Sequence, residues 1–212
     1  MSYGVDETEK KIFMIRVAEQ AECYDEMFEM MLPLIKDKTV HLTSEERTLF
    51  SVACKNYINR DRYTYRTIKA IMLLLAYRAQ RPLLEEYLLK SVVRFESICL
   101  KVIDHIEKLV IEPEKENKEP KEQESLAFFW KMKADLYRYI CETAKGKTLE
   151  KAKEDAKKCY VKANSFVIPS FCSTKMSIGL NLAVFEFEVC KNITHALKIS
   201  EKLLGDSLEK MD

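Results

Sequence analysis

Apolar residues recur every three or four positions along nearly the whole chain, and no stretch alternates apolar and polar residues as a strand does. This period predicts an all-α fold: an antiparallel helical array of about eight helices in a single domain, 1–212. The first two helices are expected at 6–20 and 22–36, and a third from Thr43 to about Arg66 or into the 70s. The remaining helices are expected at 82–111, from 125 to near Gly146, from 148 to before Pro169, and at about 175–190 and 193–210.

Local signals place several helix ends. Thr43 and Glu46 form a T-x-x-E capping box at the start of the third helix. Pro82 suits a first helical turn, and Gly146 suits the residue that follows a helix. The segment EPEKENKEPKEQE (112–124) carries charged and polar side chains without an apolar face, so it is predicted to be a solvated loop.

The segment FFWKMKADLYRYICE (128–142) places polar residues on one stripe of an otherwise apolar helix. They lie at i, i+4, i+7, i+8 and i+11: Lys131, Asp135, Arg138, Tyr139 and Glu142. Such a stripe either faces solvent or lines a groove, and the spacing alone leaves both interpretations open.

Two helices carry a basic pair with a spacing of two turns. Lys55 and Arg62 lie on the third helix with Asn59 between them, and Lys131 and Arg138 lie on the fifth. A basic pair is usually a solvated helix face. A functional interpretation requires the two helices to face each other.

The seventh helix carries a further candidate face. Leu180, Val184 and Glu188 share it at i, i+4 and i+8, with Asn181 beside them. Asn is a poor residue for the middle of a helix, so Asn181 either makes a hydrogen bond there or is simply tolerated.

Composition excludes several functions. The formal net charge is only +1, which argues against a global attraction to nucleic acid or membrane surfaces. No Gly-rich phosphate loop, zinc-ligand spacing or nucleophile motif occurs, so we expect no cofactor, no metal and no enzymatic activity. The seven scattered cysteines indicate a reducing compartment, the cytoplasm.

Three segments together resemble the signature helices of the 14-3-3 proteins: SVACKNYINRDRYTYR (51–66), FFWKMKADLYRY (128–139) and SIGLNLAVFEFE (177–188). RVAEQAECYDEM (16–27) and LTSEERTLFSVA (42–53) are also similar to the family. The resemblance implies a dimeric fold of antiparallel helices that holds phosphorylated Ser/Thr segments of client proteins in a concave groove. The function implied is that of a phosphoserine/phosphothreonine-dependent adaptor in signal transduction.

The resemblance also implies residue roles. The phosphate-binding residues would be Lys55, Arg62, Arg138 and Tyr139. The peptide groove would add Lys131 beside the phosphate, Asn181 bonding the peptide backbone, Glu188, and an apolar wall of Leu180, Val184 and Val52. Asp135 is expected to hold the basic side chains in place and to limit their mutual repulsion.

The chain departs from the family pattern at the dimer contacts. Cys23 stands where the family has an Arg, and Arg94 stands where that Arg has its acidic partner. Glu26 with Lys90 could preserve another ion pair, and Tyr87 could bury against the partner. We therefore expect a homodimer, or a heterodimer with a related chain.

A ninth helix, which the family uses to complete its groove, has no counterpart in the sequence. We expect the phosphate site to persist with a weaker hold on residues after the phosphosite. The competing interpretation is a helical scaffold, similar to tetratricopeptide arrays, that binds unphosphorylated peptides. It predicts a repeat of about 34 residues, which the sequence does not show.

Overall fold

The computed structural model describes residues 7–113 and 120–208, and it is all-α over these residues. The α-helices are α1 Glu7–Gln20, α2 Tyr24–Lys38, α3 Ser44–Met72, α4 Arg81–Ile106, α5 Pro120–Thr143, α6 Gly146–Ser165, α7 Ser173–Glu188 and α8 Ile193–Leu208. Short 3-10 helices lie at Thr39–His41 and Leu75–Gln80, and a π-helical turn, Glu107–Ile111, follows α4. The all-α prediction is confirmed.

Internal contacts divide the chain into two compact units, Met1–Val102 and Ile103–Asp212, with the division inside α4. The first unit contains α1, α2, α3 and most of α4, and the second contains α5 to α8. The single-domain assignment stays a prediction.

The capping box that starts α3 is present. The Thr43 hydroxyl accepts a hydrogen bond from the Glu46 backbone N–H at 3.2 Å, and the Thr43 N–H donates to Glu46 Oε2 at 2.9 Å. Lys38 Nζ donates to the other oxygen of Glu46 at 2.6 Å. Two N–H groups that the helix itself leaves unpaired are thus satisfied, which confirms this prediction.

Aromatic packing joins α2 to α3 in the first unit. The Phe28 ring stacks on Tyr57 at 4.9 Å between centroids and on Phe50 at 6.2 Å. Between α3 and α4, the Arg94 guanidinium pairs with the fully buried Asp61 carboxylate. Arg94, which departs from the family pattern, therefore has an acidic partner within its own chain.

Small residues let α5, α6 and α7 approach closely in the second unit. Ala134 and Ala156 are fully buried together with the large rings of Tyr160 and Phe185, whose centroids lie 5.5 Å apart. Alanine on one helix leaves space for an aromatic ring from the next, as close packing requires. Gly146, with φ +54°, adopts the left-handed conformation expected between α5 and α6.

The predicted loop at 112–124 is too long. Residues 114–119 lie outside the described residues, but α5 already begins at Pro120. Its first turns are anchored by side chains: Gln123 accepts a hydrogen bond from the Val167 N–H at 3.2 Å, and Glu124 accepts one from the Thr174 hydroxyl at 2.9 Å. This anchoring uses polar contacts with Val167, which precedes α7, and with Thr174 in its first turn, so hydrophobic periodicity does not reveal it.

Candidate functional site

Three helices of the second unit converge on one carboxylate. Helix α5 contributes Lys131, Asp135 and Arg138, α6 contributes Tyr160, and α7 contributes Asn181. We refer to these five residues as the Asp135 cluster. The predicted stripe on α5 therefore meets side chains from two other helices, and the interpretation as a simple solvated face is wrong.

Asp135 accepts hydrogen bonds from its neighbours on both oxygens. The Tyr160 hydroxyl donates to Oδ1 at 2.6 Å, and Lys131 Nζ donates to Oδ2 at 2.9 Å. The Asn181 side-chain amide donates to both oxygens, at 2.8 and 2.9 Å. These contacts confirm that Asp135 holds a basic side chain in place, and they show why an Asn occupies the middle of α7.

Arg138 lies beside the same carboxylate but makes its shorter contact elsewhere. Its Nε donates to the Tyr160 oxygen at 3.2 Å, whereas its Nη2 is 3.5 Å from Asp135 Oδ1. The guanidinium carbon lies 4.7 Å from the centroid of the Tyr139 ring. Arg138 Nη1 donates no hydrogen bond within residues 7–113 and 120–208.

The cluster is almost inaccessible to solvent and carries net positive charge. Counted as whole residues, Lys131 and Asp135 are 6% exposed, Arg138 is 8% exposed and Tyr160 is fully buried. Two cations face one carboxylate, so one positive charge lacks a counter-ion in the cluster. Burying a charge is costly unless it is paired, which makes an uncompensated cation a candidate site for an anion.

Local electrostatics keep both Arg138 and Tyr160 protonated. Burial disfavours the charged guanidinium, but the Tyr160 and Asp135 oxygens outweigh it and raise the pKa of Arg138. Burial raises the pKa of Tyr160 well above its ordinary value, and the neighbouring Asp135 charge raises it further. Arg138 and Tyr160 therefore both remain hydrogen-bond donors across the physiological pH range.

The predicted groove residues of α7 lie on its accessible side. Leu180 is 58% exposed, Val184 is partly buried and Glu188 is exposed. Leu180 immediately precedes Asn181 in α7, so the same helix carries an accessible apolar side chain next in sequence to a member of the polar cluster. Their role in a peptide groove stays a prediction.

The predicted site residues of the first unit share one face of α3. Val52, Lys55 and Arg62 lie at i, i+3 and i+10. Lys55 is exposed and makes no ion pair within the described residues, whereas Arg62 is partly buried and has interactions of its own. Joint binding of one phosphate by Lys55, Arg62, Arg138 and Tyr139 stays a prediction.

The predicted dimer contacts are accessible. Glu26 and Tyr87 are exposed, and Glu26 makes no ion pair within the part of the chain that the structure describes. Lys90 pairs with Glu86 one turn away at 2.7 Å, and both side chains are exposed. Their contribution to an interface stays a prediction.

Sequence reasoning missed two features. Tyr160 had no assigned role, although it is a large residue in a stripe of small ones on α6 that includes Ala152, Ala156 and Ala163. A buried hydroxyl needs a partner, and that requirement was the available signal. The second feature is a pocket of about 440 Å³ in the first unit, between the α1–α2 turn and α3, which none of the predicted site residues line.

Within residues 7–113 and 120–208, no group of three or more His, Cys, Asp and Glu side chains is arranged to hold a metal ion. None of the helices described is both long and apolar enough to cross a membrane.

Comparisons with known proteins agree on one family. The family model described as 14-3-3 protein matches residues 14–212. The chain is 30% identical over 208 residues to 14-3-3 protein zeta of Bombyx mori, covering 96% of this chain and 81% of that protein. It is also 30% identical over 212 residues to the checkpoint signal transducer rad25 of Schizosaccharomyces pombe, covering 96% of this chain and 75% of the relative.

A plant relative, 14-3-3-like protein C of Glycine max, is 29% identical over 212 residues, covering 97% of this chain and 80% of its own length. The similarity thus extends over both compact units and includes every helix of the Asp135 cluster. This chain belongs to the 14-3-3 protein family.

Proposed function

We propose that this protein is a non-catalytic, cytoplasmic adaptor that binds segments of client proteins carrying phosphoserine or phosphothreonine. Recognition of phosphorylated segments by clustered arginines is a mode for which 14-3-3 proteins are a known example. Family membership supports the adaptor role in general. The phosphate dependence is proposed for this chain from its own residues.

The observation that carries the proposal is the state of Arg138. Its guanidinium is nearly buried, lies in a cluster with one uncompensated positive charge, and has Nη1 without a hydrogen bond in the described part of the chain. A phosphorylated side chain brings about two negative charges and three acceptor oxygens. It therefore supplies what the cluster lacks, and a guanidinium can bind two phosphate oxygens at once.

The resemblance assigns the other contacts. We propose that Lys55, Arg62 and Tyr139 bind the same phosphate and that Lys131 adds positive charge beside it. We propose that Asn181 bonds the peptide backbone and that Glu188 lines the peptide groove further along α7. The apolar wall of the groove contacts apolar side chains of the peptide and consists of Val52, Leu180 and Val184.

Substitution of Arg138 tests this site. The probe is a fluorescein-labelled peptide of the R-S-x-pS-x-P type, followed by fluorescence anisotropy at physiological salt. Because hydrogen bonds to charged groups contribute about 1.5–3 kcal/mol each, Arg138→Ala should weaken binding about ten- to hundredfold. Arg138→Lys, which keeps the charge but loses the two-pronged geometry, should fall between Arg138→Ala and the wild type.

Arg81→Ala is the matched control, because Arg81 is exposed and, among the residues that the structure describes, pairs only with Glu85 on its own helix, at 3.4 Å. It should bind the peptide as the wild type does. Unchanged affinity of a folded Arg138→Ala variant would contradict the assignment of Arg138 to the phosphate.

We also propose a dimer. The first unit exposes large apolar side chains on α1 and α4, among them Phe13, Leu83, Tyr87 and Leu89. Leu83 and Tyr87 lie one turn apart on α4, and neighbouring exposed apolar side chains are typical of interfaces. Sedimentation equilibrium tests the proposal, in which Glu26 pairs with Lys90 across the interface. Glu26→Lys places two like charges together and should raise the dimer dissociation constant. Adding Lys90→Glu restores opposite charges and should lower the constant again. A monomer at micromolar concentration would contradict the proposal.

A further inference from the structure

The acceptor sites of Asp135 are filled by residues other than Arg138. A carboxylate offers about four lone-pair positions. Oδ1 accepts from Tyr160 at 2.6 Å and from Asn181 at 2.8 Å, and Oδ2 accepts from Lys131 and Asn181 at 2.9 Å each. No strong acceptor position is left for the guanidinium that lies beside it.

Arg138 lies farther from Asp135 than a charged hydrogen bond requires, as expected if the carboxylate has no acceptor position left for it. Asp135 and Arg138 are three residues apart on α5, a spacing at which oppositely charged side chains readily pair. Yet Nη2 lies 3.5 Å from Asp135 Oδ1, well beyond the roughly 2.7–2.9 Å of a charged N–H···O⁻ hydrogen bond. The Tyr160 oxygen, which accepts from Nε at 3.2 Å, stands between the two charges.

Chemistry fixes the direction of both Tyr160 hydrogen bonds. An ionised carboxylate cannot donate a hydrogen bond and a guanidinium cannot accept one. The single phenol proton must therefore go to Asp135, and a lone pair on the same oxygen must receive the Arg138 Nε–H. Tyr160 is fully buried, so water does not compete for either bond.

We propose that Tyr160 is a positioning residue for phosphate recognition, because its hydroxyl occupies Asp135 and holds Arg138 by Nε, so that Nη1, and Nη2 with its long 3.5 Å contact to Asp135, can turn to a ligand. This inference rests on the proposed function and adds a residue that touches no ligand itself. Without the hydroxyl, Asp135 Oδ1 regains an acceptor position. The Arg138 Nε–H would then donate to Asp135 Oδ1, and the guanidinium would shift toward the carboxylate and away from a phosphate.

Tyr160→Phe tests the proposal because it removes one oxygen and keeps the ring that packs on Phe185. The control is Tyr137→Phe, the same change on a half-buried tyrosine packed against the same core, with no hydrogen bond to its hydroxyl among the described residues. With the labelled R-S-x-pS-x-P peptide, we expect Tyr160→Phe to bind about tenfold more weakly and Tyr137→Phe to bind within about twofold of the wild type. Binding of Tyr160→Phe within twofold of the wild type would overturn the proposal.

A double-mutant cycle separates positioning from a structural role. If Tyr160 acts through Arg138, then Tyr160→Phe should change peptide affinity less than about twofold in an Arg138→Ala background. An equal tenfold loss in both backgrounds would mean that the hydroxyl acts on the whole fold, and the proposal would fail.

A measurement without peptide keeps this inference distinct from the proposed function. The Arg138 Nε–H signal in a ¹⁵N-correlated NMR spectrum is identified by its loss in Arg138→Lys. Because its acceptor changes from a phenol oxygen to a carboxylate, the signal should shift in Tyr160→Phe and stay in place in Tyr137→Phe. An unmoved signal would overturn the positioning role. If the signal shifts in Tyr160→Phe but the wild-type protein does not bind the phosphopeptide, the link between Tyr160 and Arg138 is upheld. Only the proposed function is then refuted.

Discussion

Three ionised side chains, Lys131, Asp135 and Arg138, lie almost out of contact with water on a single helix. Such an arrangement is favourable only when hydrogen bonds replace the lost hydration. Tyr160 and Asn181 supply those bonds from two other helices. The same residues that give the cluster its donors therefore also join α5, α6 and α7.

Asp135→Asn tests this dependence. Asn is close to Asp in shape, but it removes the only negative charge in the cluster and leaves two buried cations unpaired. We expect the free energy of unfolding to fall by about 3–5 kcal/mol, the usual cost of breaking a buried ion pair. The measurement is equilibrium unfolding in urea.

Asp104→Asn provides the matched control. Asp104 pairs with Lys108 at 2.9 Å and at the same i, i+4 spacing as Lys131 and Asp135, but its side chain is 52% exposed where that of Asp135 is 8% exposed. Exposed pairs contribute about 0–1 kcal/mol. If the free energy of unfolding fell equally in the two variants, burial would not be the reason that the Asp135 pair stabilises the fold.

At the residue scale, the sequence predicted which side chains lie together when they are on the same helix. The i, i+4 and i+7 positions of α5 predicted that Lys131, Asp135 and Arg138 lie together, and they do. Tyr160 is separated from Asp135 by 25 positions, and its partner is set by how α6 packs on α5. Periodicity within one helix contains no information about that packing.

At the scale of elements, a helix start was predictable where a short sequence motif marks it. The capping box before α3 was identified from two residues, Thr43 and Glu46, because its hydrogen bonds are local to the motif. The start of α5 was missed because its first turn is charged and is held by contacts with distant residues, Val167 and Thr174. A charged segment is therefore no proof of a loop when tertiary contacts can anchor it.

Thr43→Ala tests the energetic role of the capping box. Removal of the hydroxyl leaves the Glu46 N–H without its acceptor, so the free energy of unfolding should fall by about 0.5–2 kcal/mol. Thr48→Ala is the control in the same helix, since within residues 7–113 and 120–208 the exposed Thr48 hydroxyl donates only to the Ser44 carbonyl, one turn back. Urea unfolding should place Thr48→Ala within about 0.5 kcal/mol of the wild type. A loss for Thr48→Ala as large as that for Thr43→Ala would contradict the capping role.

At the scale of the whole molecule, charge is balanced overall but concentrated locally. A net charge of +1 gives the whole protein little long-range attraction for charged ligands. The Asp135 cluster, by contrast, contains one excess positive charge among buried residues. The fold class followed from periodicity alone. The proposed function followed from motifs in three separate segments, and the family match over residues 14–212 confirms that these motifs belong together.

The most direct test of the account is one titration carried out with two peptides. The wild-type protein is titrated into the labelled R-S-x-pS-x-P peptide and into its unphosphorylated twin under identical conditions. Because several charged hydrogen bonds depend on the phosphate, we expect the phosphorylated peptide to bind at least about a hundredfold more tightly. Equal binding of the two peptides would contradict phosphate recognition and would favour the phosphate-independent helical scaffold instead.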